Sequence, residues 1–129
     1  MKNFKIHKAK KSLGQNFLKS EIALRKIIEV GEVKTNDVVL EIGPGKGALT
    51  KKLLEHAGLV IAVEKDDELF KFLQEKFSKE ILSKQLILVH EDILHFDISK
   101  YSGRNYKVVA NIPYNITGAI LKKFLTEKN

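Results

Sequence analysis

An α/β fold built on a parallel, doubly wound sheet is what this 129-residue sequence predicts. Three observations carry the prediction. Short apolar runs alternate with amphipathic stretches of helical period. The apolar runs are continuous, as in strands covered on both faces. Gly43, Gly45 and Gly47 cluster where one such run passes into a helical stretch.

Taken in order, MKNFKIHKAKKSLGQNFLKS has no sustained periodicity. It reads as a basic arm over residues 1–19, loose at first and then anchored by Phe17 and Leu18. Ser20 is placed to cap a helix running to about Val30, with Ile22, Ala23, Leu24, Ile27 and Ile28 mainly on one face. Val38–Ile42 reads as the first strand. A helix follows from Ala48 to about His56, with Gly58 as its C-terminal stop. Leu59–Glu64 is a second strand. DDELFKFLQEKFSKEIL is one amphipathic helix, with Asp66 or Asp67 at its start and Leu69, Phe70, Leu73, Phe77 and Ile81 on its buried side. Leu86–Val89 is a third strand and Lys107–Ala110 a fourth. Ile116 to Glu127 reads as a final helix, with Thr117 as its cap.

Composition narrows the chemistry. The sequence has no Cys, which excludes disulfides, thiolate zinc clusters and cysteine nucleophiles. Its four His show no metal-binding spacing, so no metal is expected. The longest apolar run, Leu59–Val63, is far too short to span a bilayer, and the basic N-terminus lacks the apolar stretch of a signal peptide. No membrane association and a cytoplasmic location are the expectations. The net charge is +7; residues 1–35 hold nine Lys/Arg against three Glu, a balance of +6, which leaves +1 for the rest. A basic arm on a near-neutral body suits a polyanion such as nucleic acid, or is simply a solvated tail.

Chemistry concentrates in four stretches. EIGPGKG puts three glycines at the carboxyl end of a strand, where a ligand can approach the backbone and a helix N-terminus favours a negative group; a tight strand–helix turn is the plainer reading. Glu64 ends the next strand, 21 residues after Gly43, where nucleotide-binding α/β folds place an acid on the ribose hydroxyls; a Glu there can also simply face solvent. The spacing G-x-G-x-G is neither the dinucleotide fingerprint nor a Walker loop. It suits an adenosine ligand with a compact charged tail, such as S-adenosylmethionine. In HEDI, Asp92 can accept a hydrogen bond from an adenine amine, or else Glu91 or Asp92 caps a turn.

VVANIPYN explains itself on the same terms. Asn111 follows a strand at the ligand-binding edge, and its side-chain carbonyl can accept a hydrogen from a target amine. Pro113 holds Ile112 extended, which aims the Ile112 carbonyl at the same amine. Two acceptors on one amine free its lone pair to attack a sulfonium methyl, and Tyr114 offers a flat face for an extruded base. Positioning and electrostatics then carry catalysis without a strong base. The competing reading is an Asx-type turn with Tyr114 as cover.

These residues resemble the ribosomal RNA adenine N6-dimethyltransferases. KSLGQNFL (Lys11–Leu18), LEIGPGKGALT (Leu40–Thr50), VEKD (Val63–Asp66), HEDIL (His90–Leu94) and NIPYNI (Asn111–Ile116) occur in that family's order and span essentially the whole chain. The resemblance implies a Rossmann-like class I S-adenosylmethionine-dependent methyltransferase. It would transfer methyl groups to two adjacent adenosines of small-subunit rRNA during ribosome maturation, and act as a monomer on the immature small subunit. Gln15, Asn16 and Leu18 would close over the cofactor; Gly43 and Gly45 would form its loop. Glu64, with Lys65 beside it, would hold the ribose, and Asp92 would meet the adenine. Asn111, with Ile112 and Pro113, would flank the transferring methyl, and Tyr114 would stack on the target base. Lys8, Lys10 and Lys11 of the arm would contact RNA.

Members of that family are about twice as long, with a seven-stranded sheet and a helical RNA-binding domain. The expectation is therefore an N-terminal portion of the methyltransferase domain over residues 20–129, truncated after the fourth strand, with the helical domain absent, Lys107–Ala110 left as an open edge, and weak or no turnover. Three alternatives stand beside it. One is a large-subunit rRNA methyltransferase of the erythromycin-resistance type. Another is a non-catalytic RNA-binding or transcription-factor relative. The third is a nicotinamide-dependent dehydrogenase, which the glycine spacing and NIPY oppose.

Overall fold

The computed structural model describes residues 3–8, 20–101, 103 and 105–112, with 3–8 and 111–112 as backbone only. Five strands, β1 (Asn3–Lys8), β2 (Val38–Ile42), β3 (Leu59–Glu64), β4 (Leu86–His90) and β5 (Lys107–Ile112), form one sheet in the order β1-β5-β2-β3-β4. Every pairing is parallel. The helices are α1 (Glu21–Gly31), α2 (Ala48–His56), α3 (Asp67–Lys76) and α4 (Ser78–Leu82).

The first strand corrects the reading of a loose arm. Asn3–Lys8 runs alongside β5 in register from Asn3↔Lys107 to Lys8↔Ile112. Its polar–apolar alternation (Asn3, Phe4, Lys5, Ile6) has a strand period that the lysine-rich composition hid. The edge expected at Lys107–Ala110 is consequently an interior position, with β1 on one side and β2 on the other. β5 also continues through Asn111 and Ile112, which the sequence placed after the strand.

Strand alternation sorts the core into two layers. Leu40, Ile42, Ile61, Val63, Val89, Val108 and Ala110 face one way, under Ile93, Phe96, Ile98 and Tyr106 from the segment between β4 and β5. Val39, Val60, Ala62, Leu86 and Val109 face the other, under Leu24 and Ile28 of α1, Leu49 and Leu53 of α2, and Leu73 of α3 with Phe77. Each Val, Leu, Ile or Phe among them removed from water contributes about 1.5–3 kcal/mol. Among the described residues, α1, α2 and α3 all share this second face. The helix expected over 116–127 lies outside the described residues.

Local signals mostly hold. Ser20 caps α1 by accepting from the Ala23 N–H, and Asp66 caps α3 by accepting from the Leu69 N–H. Ile22, expected on the buried face of α1, is 78% exposed. The single helix expected after Asp66 is two, interrupted at Phe77, whose φ of −111° and ψ of 29° are not helical. That break accompanies the burial of the Phe77 ring beside Leu73, while Leu69, Phe70 and Ile81 are half-buried. Gly58 follows an extended C-cap at Ala57; a Cβ on Gly58 would lie 2.4 Å from the Thr35 carbonyl oxygen, so space, not a left-handed turn, requires glycine there.

Candidate functional site

After β4 the chain crosses back over the sheet to place β5 beside β2, so the order reverses between β2 and β5. The carboxyl ends of strands at such a switch point form the ligand crevice of open α/β sheets. Ile42 pairs with Ala110, which brings the backbone of Asn111 level with Gly43. The glycine turn and the first residues of the NIPY stretch thus meet where the sequence requires.

The turn between β2 and α2 is built on left-handed backbone. Gly43, Gly45 and Gly47 have φ of 67°, 61° and 87°. Two of them need glycine for different reasons. A Cβ on Gly47 would lie 2.6 Å from the Phe77 ring and 3.0 Å from Leu73, so this residue lets α2 start against α3. A Cβ on Gly45 would meet nothing within 4 Å. Gly45 therefore combines a glycine-only conformation with open space above it, as a turn that receives a ligand must.

Glu64 locks this turn. It is the last residue of β3 and only 7% exposed. Oε1 accepts from the Gly45 N–H at 3.2 Å and Oε2 from the Asp66 N–H at 3.0 Å. Each oxygen keeps a second acceptor position, which suits a carboxylate receiving two vicinal hydroxyls.

Lys65 and Asp92 meet at the ends of adjacent strands, with Nζ 3.5 Å from Asp92 Oδ2. Asp92 also caps the short 3₁₀ turn Ile93–His95, its Oδ1 accepting from the Leu94 N–H at 3.0 Å. That amide, with the Lys65 ammonium, holds the carboxyl below its usual range against the opposing effect of burial. The turn-capping alternative for Asp92 is therefore present, and Oδ2 is the oxygen directed elsewhere. His90 stacks on Phe70, ring centroids 4.6 Å apart, and its Nε2 lies 2.8 Å from Asp67 Oδ1. Among the described residues no group of His, Cys, Asp or Glu is arranged to hold a metal ion.

Sequence reasoning missed Glu41. It lies in β2, 2% exposed, with the Thr50 hydroxyl donating to Oε1 at 2.5 Å. Burial pushes its carboxyl up to about 7; the Thr50 hydrogen bond opposes this and the nearby Glu64 charge adds to it. A Glu inside the apolar run VVLEI was the signal, because a strand covered on both faces has no solvent side for it.

Gln15, Asn16, Leu18, Lys10, Lys11, Pro113 and Tyr114 lie outside the described residues, as do the side chains of Lys8, Asn111 and Ile112.

A family model described as ribosomal RNA adenine dimethylase matches residues 6–129. The chain belongs to this family. The matched span takes in the glycine turn, Glu64, Asp92 and the NIPY stretch together. A ribosomal RNA small subunit methyltransferase A from Dehalococcoides mccartyi is 48% identical over 123 residues, 94% of this chain and 41% of that protein. Among solved structures, a dimethyladenosine transferase from Plasmodium falciparum superposes with a TM-score of 0.71 at 29% identity, covering 84% of this chain and 38% of the other. The 23S rRNA methyltransferase ErmE superposes with a TM-score of 0.73 at 33% identity, covering 83% and 41%. The chain thus spans about two fifths of the length of these relatives.

Proposed function

We propose that this chain carries the cofactor-binding edge of an rRNA adenine N6-dimethyltransferase that uses S-adenosylmethionine and modifies two adjacent adenosines of small-subunit rRNA. The observation that carries the reading is the bond from the Gly45 N–H to Glu64, which fixes an acid and an open glycine turn together beside the β2/β5 switch point. The residues present fit such a ligand: the space over Gly45 admits it, and Glu64 retains acceptor capacity for its ribose.

In this reading Glu64 receives the ribose hydroxyls, and Asp92 Oδ2 takes the adenine amine beside Lys65. Gln15, Asn16 and Leu18 close over the methionine end. When bound, the cofactor supplies an electrophilic methyl group on a sulfonium sulfur. The protein's part is to present the acceptor. The Asn111 and Ile112 carbonyls hold the adenine N6 hydrogens, Pro113 keeps Ile112 extended, and Tyr114 stacks on the base; the amine then needs no strong base. Lys8, Lys10 and Lys11 contact rRNA phosphates. The partner is the immature small subunit, the intact enzyme acts as a monomer, and cytoplasmic ribosome assembly is its setting.

The resemblance to ErmE keeps large-subunit methylation as a second reading. Calorimetric titration with S-adenosylhomocysteine, with NADH as comparison, tests the cofactor. Saturable binding of the former alone is expected, and NADH binding alone would overturn the reading. Radiolabelled methyl transfer by the full-length enzyme, offered each isolated ribosomal subunit, separates small- from large-subunit specificity.

A further inference from the structure

The turn between β2 and α2 is held from two sides. Glu64 takes the Gly45 N–H from β3. One residue on, the Lys46 carbonyl accepts from Lys76 Nζ at 2.8 Å, thirty positions away in the last turn of α3. The Lys76 ammonium is itself seated. It lies 5.7 Å from the centre of the Phe72 ring and 5.4 Å from that of Phe77, within cation–π range of both. Among the described residues it forms no ion pair, so its directed contacts there are two rings and one carbonyl. The helix break at Phe77 belongs to the same arrangement. α3 ends there, and the buried Phe77 ring lies where a Cβ on Gly47 would come within 2.6 Å. The end of α3 therefore supports two consecutive residues of the turn, Lys46 by a hydrogen bond and Gly47 by packing.

Resting on the cofactor reading above, we propose that Lys76 is a positioning residue: by holding the Lys46 carbonyl from the end of α3, it keeps the glycine turn in the shape that receives the methyl donor. Gly47 has no Cβ to resist rotation of the Lys46–Gly47 peptide, so sterics alone do not decide which way the Lys46 carbonyl points. The Lys76 bond decides it, and the carbonyl is directed at α3. A turn already fixed in this way does not have to be ordered when the ligand arrives, and that saving appears as affinity. Lys76 acts through the turn and not on the ligand.

The test is calorimetric titration of the unaltered chain, Lys76→Met and Lys76→Arg with S-adenosylhomocysteine, beside thermal unfolding of each. Lys76→Met keeps an apolar stem over the two rings and loses the donor. Its Kd is expected to rise about three- to tenfold, the scale of one hydrogen bond. Its thermal midpoint should change little, because Lys76 is exposed. Lys76→Arg keeps a cation and a donor and should recover most of the affinity. The loss in Lys76→Met should be the same at low and at high salt, because the bond acts at contact distance; a ligand drawn by the field of the ammonium would respond to salt. Equal affinity in Lys76→Met and the unaltered chain overturns the proposal. So does a loss that disappears in high salt, a loss matched by a large fall in thermal midpoint, or a Lys76→Arg that binds no better than Lys76→Met. No binding by an unaltered chain that circular dichroism shows to be folded overturns the cofactor reading, and this inference with it; binding by the unaltered chain with equal affinity in Lys76→Met overturns only this inference.

Discussion

Glu64 accepts a hydrogen bond from the amide of Gly45, nineteen positions earlier, at 3.2 Å. Strand β3 thereby holds the turn that follows β2, and the acid expected to receive a ribose also shapes the loop expected to receive the rest of the ligand. Glu64→Ala should remove both effects. Loss of hydrogen bonds to a charged acceptor costs about 1.5–3 kcal/mol, so S-adenosylhomocysteine affinity should fall by one to two orders of magnitude. Glu64→Gln should lose less, because its amide oxygen can still accept from Gly45. Titration of both variants, with folding checked by circular dichroism, decides it; equal affinity in Glu64→Ala and the unaltered chain would remove Glu64 from the site.

The glycines should separate stability from binding. Gly47→Ala forces a Cβ to within 2.6 Å of the Phe77 ring at a φ of 87°, and clash plus strain should destabilise the fold by roughly 2–4 kcal/mol. Gly45→Ala meets open space and should cost only about 1 kcal/mol of left-handed strain. Its Cβ would instead enter the space assigned to the ligand. Urea denaturation should rank Gly47→Ala as the less stable variant, and titration should show the greater affinity loss per unit of lost stability in Gly45→Ala.

Much of this was legible in the sequence because the signals were local. Ser20 and Asp66 cap helices as their residue types predict, and four strands read correctly from continuous apolar runs. The misses came from tertiary packing. Phe77 breaks a helix whose amphipathic period gives no warning, and Asn3–Lys8 is a strand by virtue of a partner a hundred residues away. Spacing singles out Gly43, Gly45 and Glu64 as candidates, but it does not show the bond that joins Gly45 to Glu64. Glu41 was passed over because β2 was read for its apolar residues, when the one charged residue among them was the anomaly.

Glu41 makes a stability prediction independent of any ligand. Its folded-state carboxyl is raised to about 7 from 4.5. The unfolded chain therefore releases this proton at lower pH than the folded one, and stability falls as pH rises from about 4.5 through 7, then levels. Glu41→Gln keeps an acceptor for Thr50 and abolishes the titration. The variant should match the unaltered chain near pH 4.5 and exceed it at pH 8, by up to roughly 3 kcal/mol for a shift of this size. Thermal unfolding at the two pH values measures it, and a stability difference independent of pH would contradict the assignment.

Asp37 has the opposite sign. Its Oδ2 accepts from the Lys107 ammonium at 2.9 Å and from the Lys34 N–H at 2.7 Å, and Lys107 also donates to the Glu32 carbonyl at the end of α1. Burial raises the Asp37 carboxyl, but the Lys107 and Lys34 contacts outweigh it, and the net position is below the usual range. A depressed carboxyl contributes stability above its unfolded value of 3.8, and this is lost as pH falls through the folded one. Asp37→Asn keeps a polar side chain but leaves the half-buried Lys107 without its counter-charge. A loss of about 1–2 kcal/mol is expected at pH 7. The gap should narrow as pH falls below 3.8, where the unfolded chain takes up this proton before the folded one does. Urea unfolding at pH 7 and pH 3 tests both statements, and a loss that is the same at the two pH values would show that the Asn side chain disrupts packing instead of removing a charge.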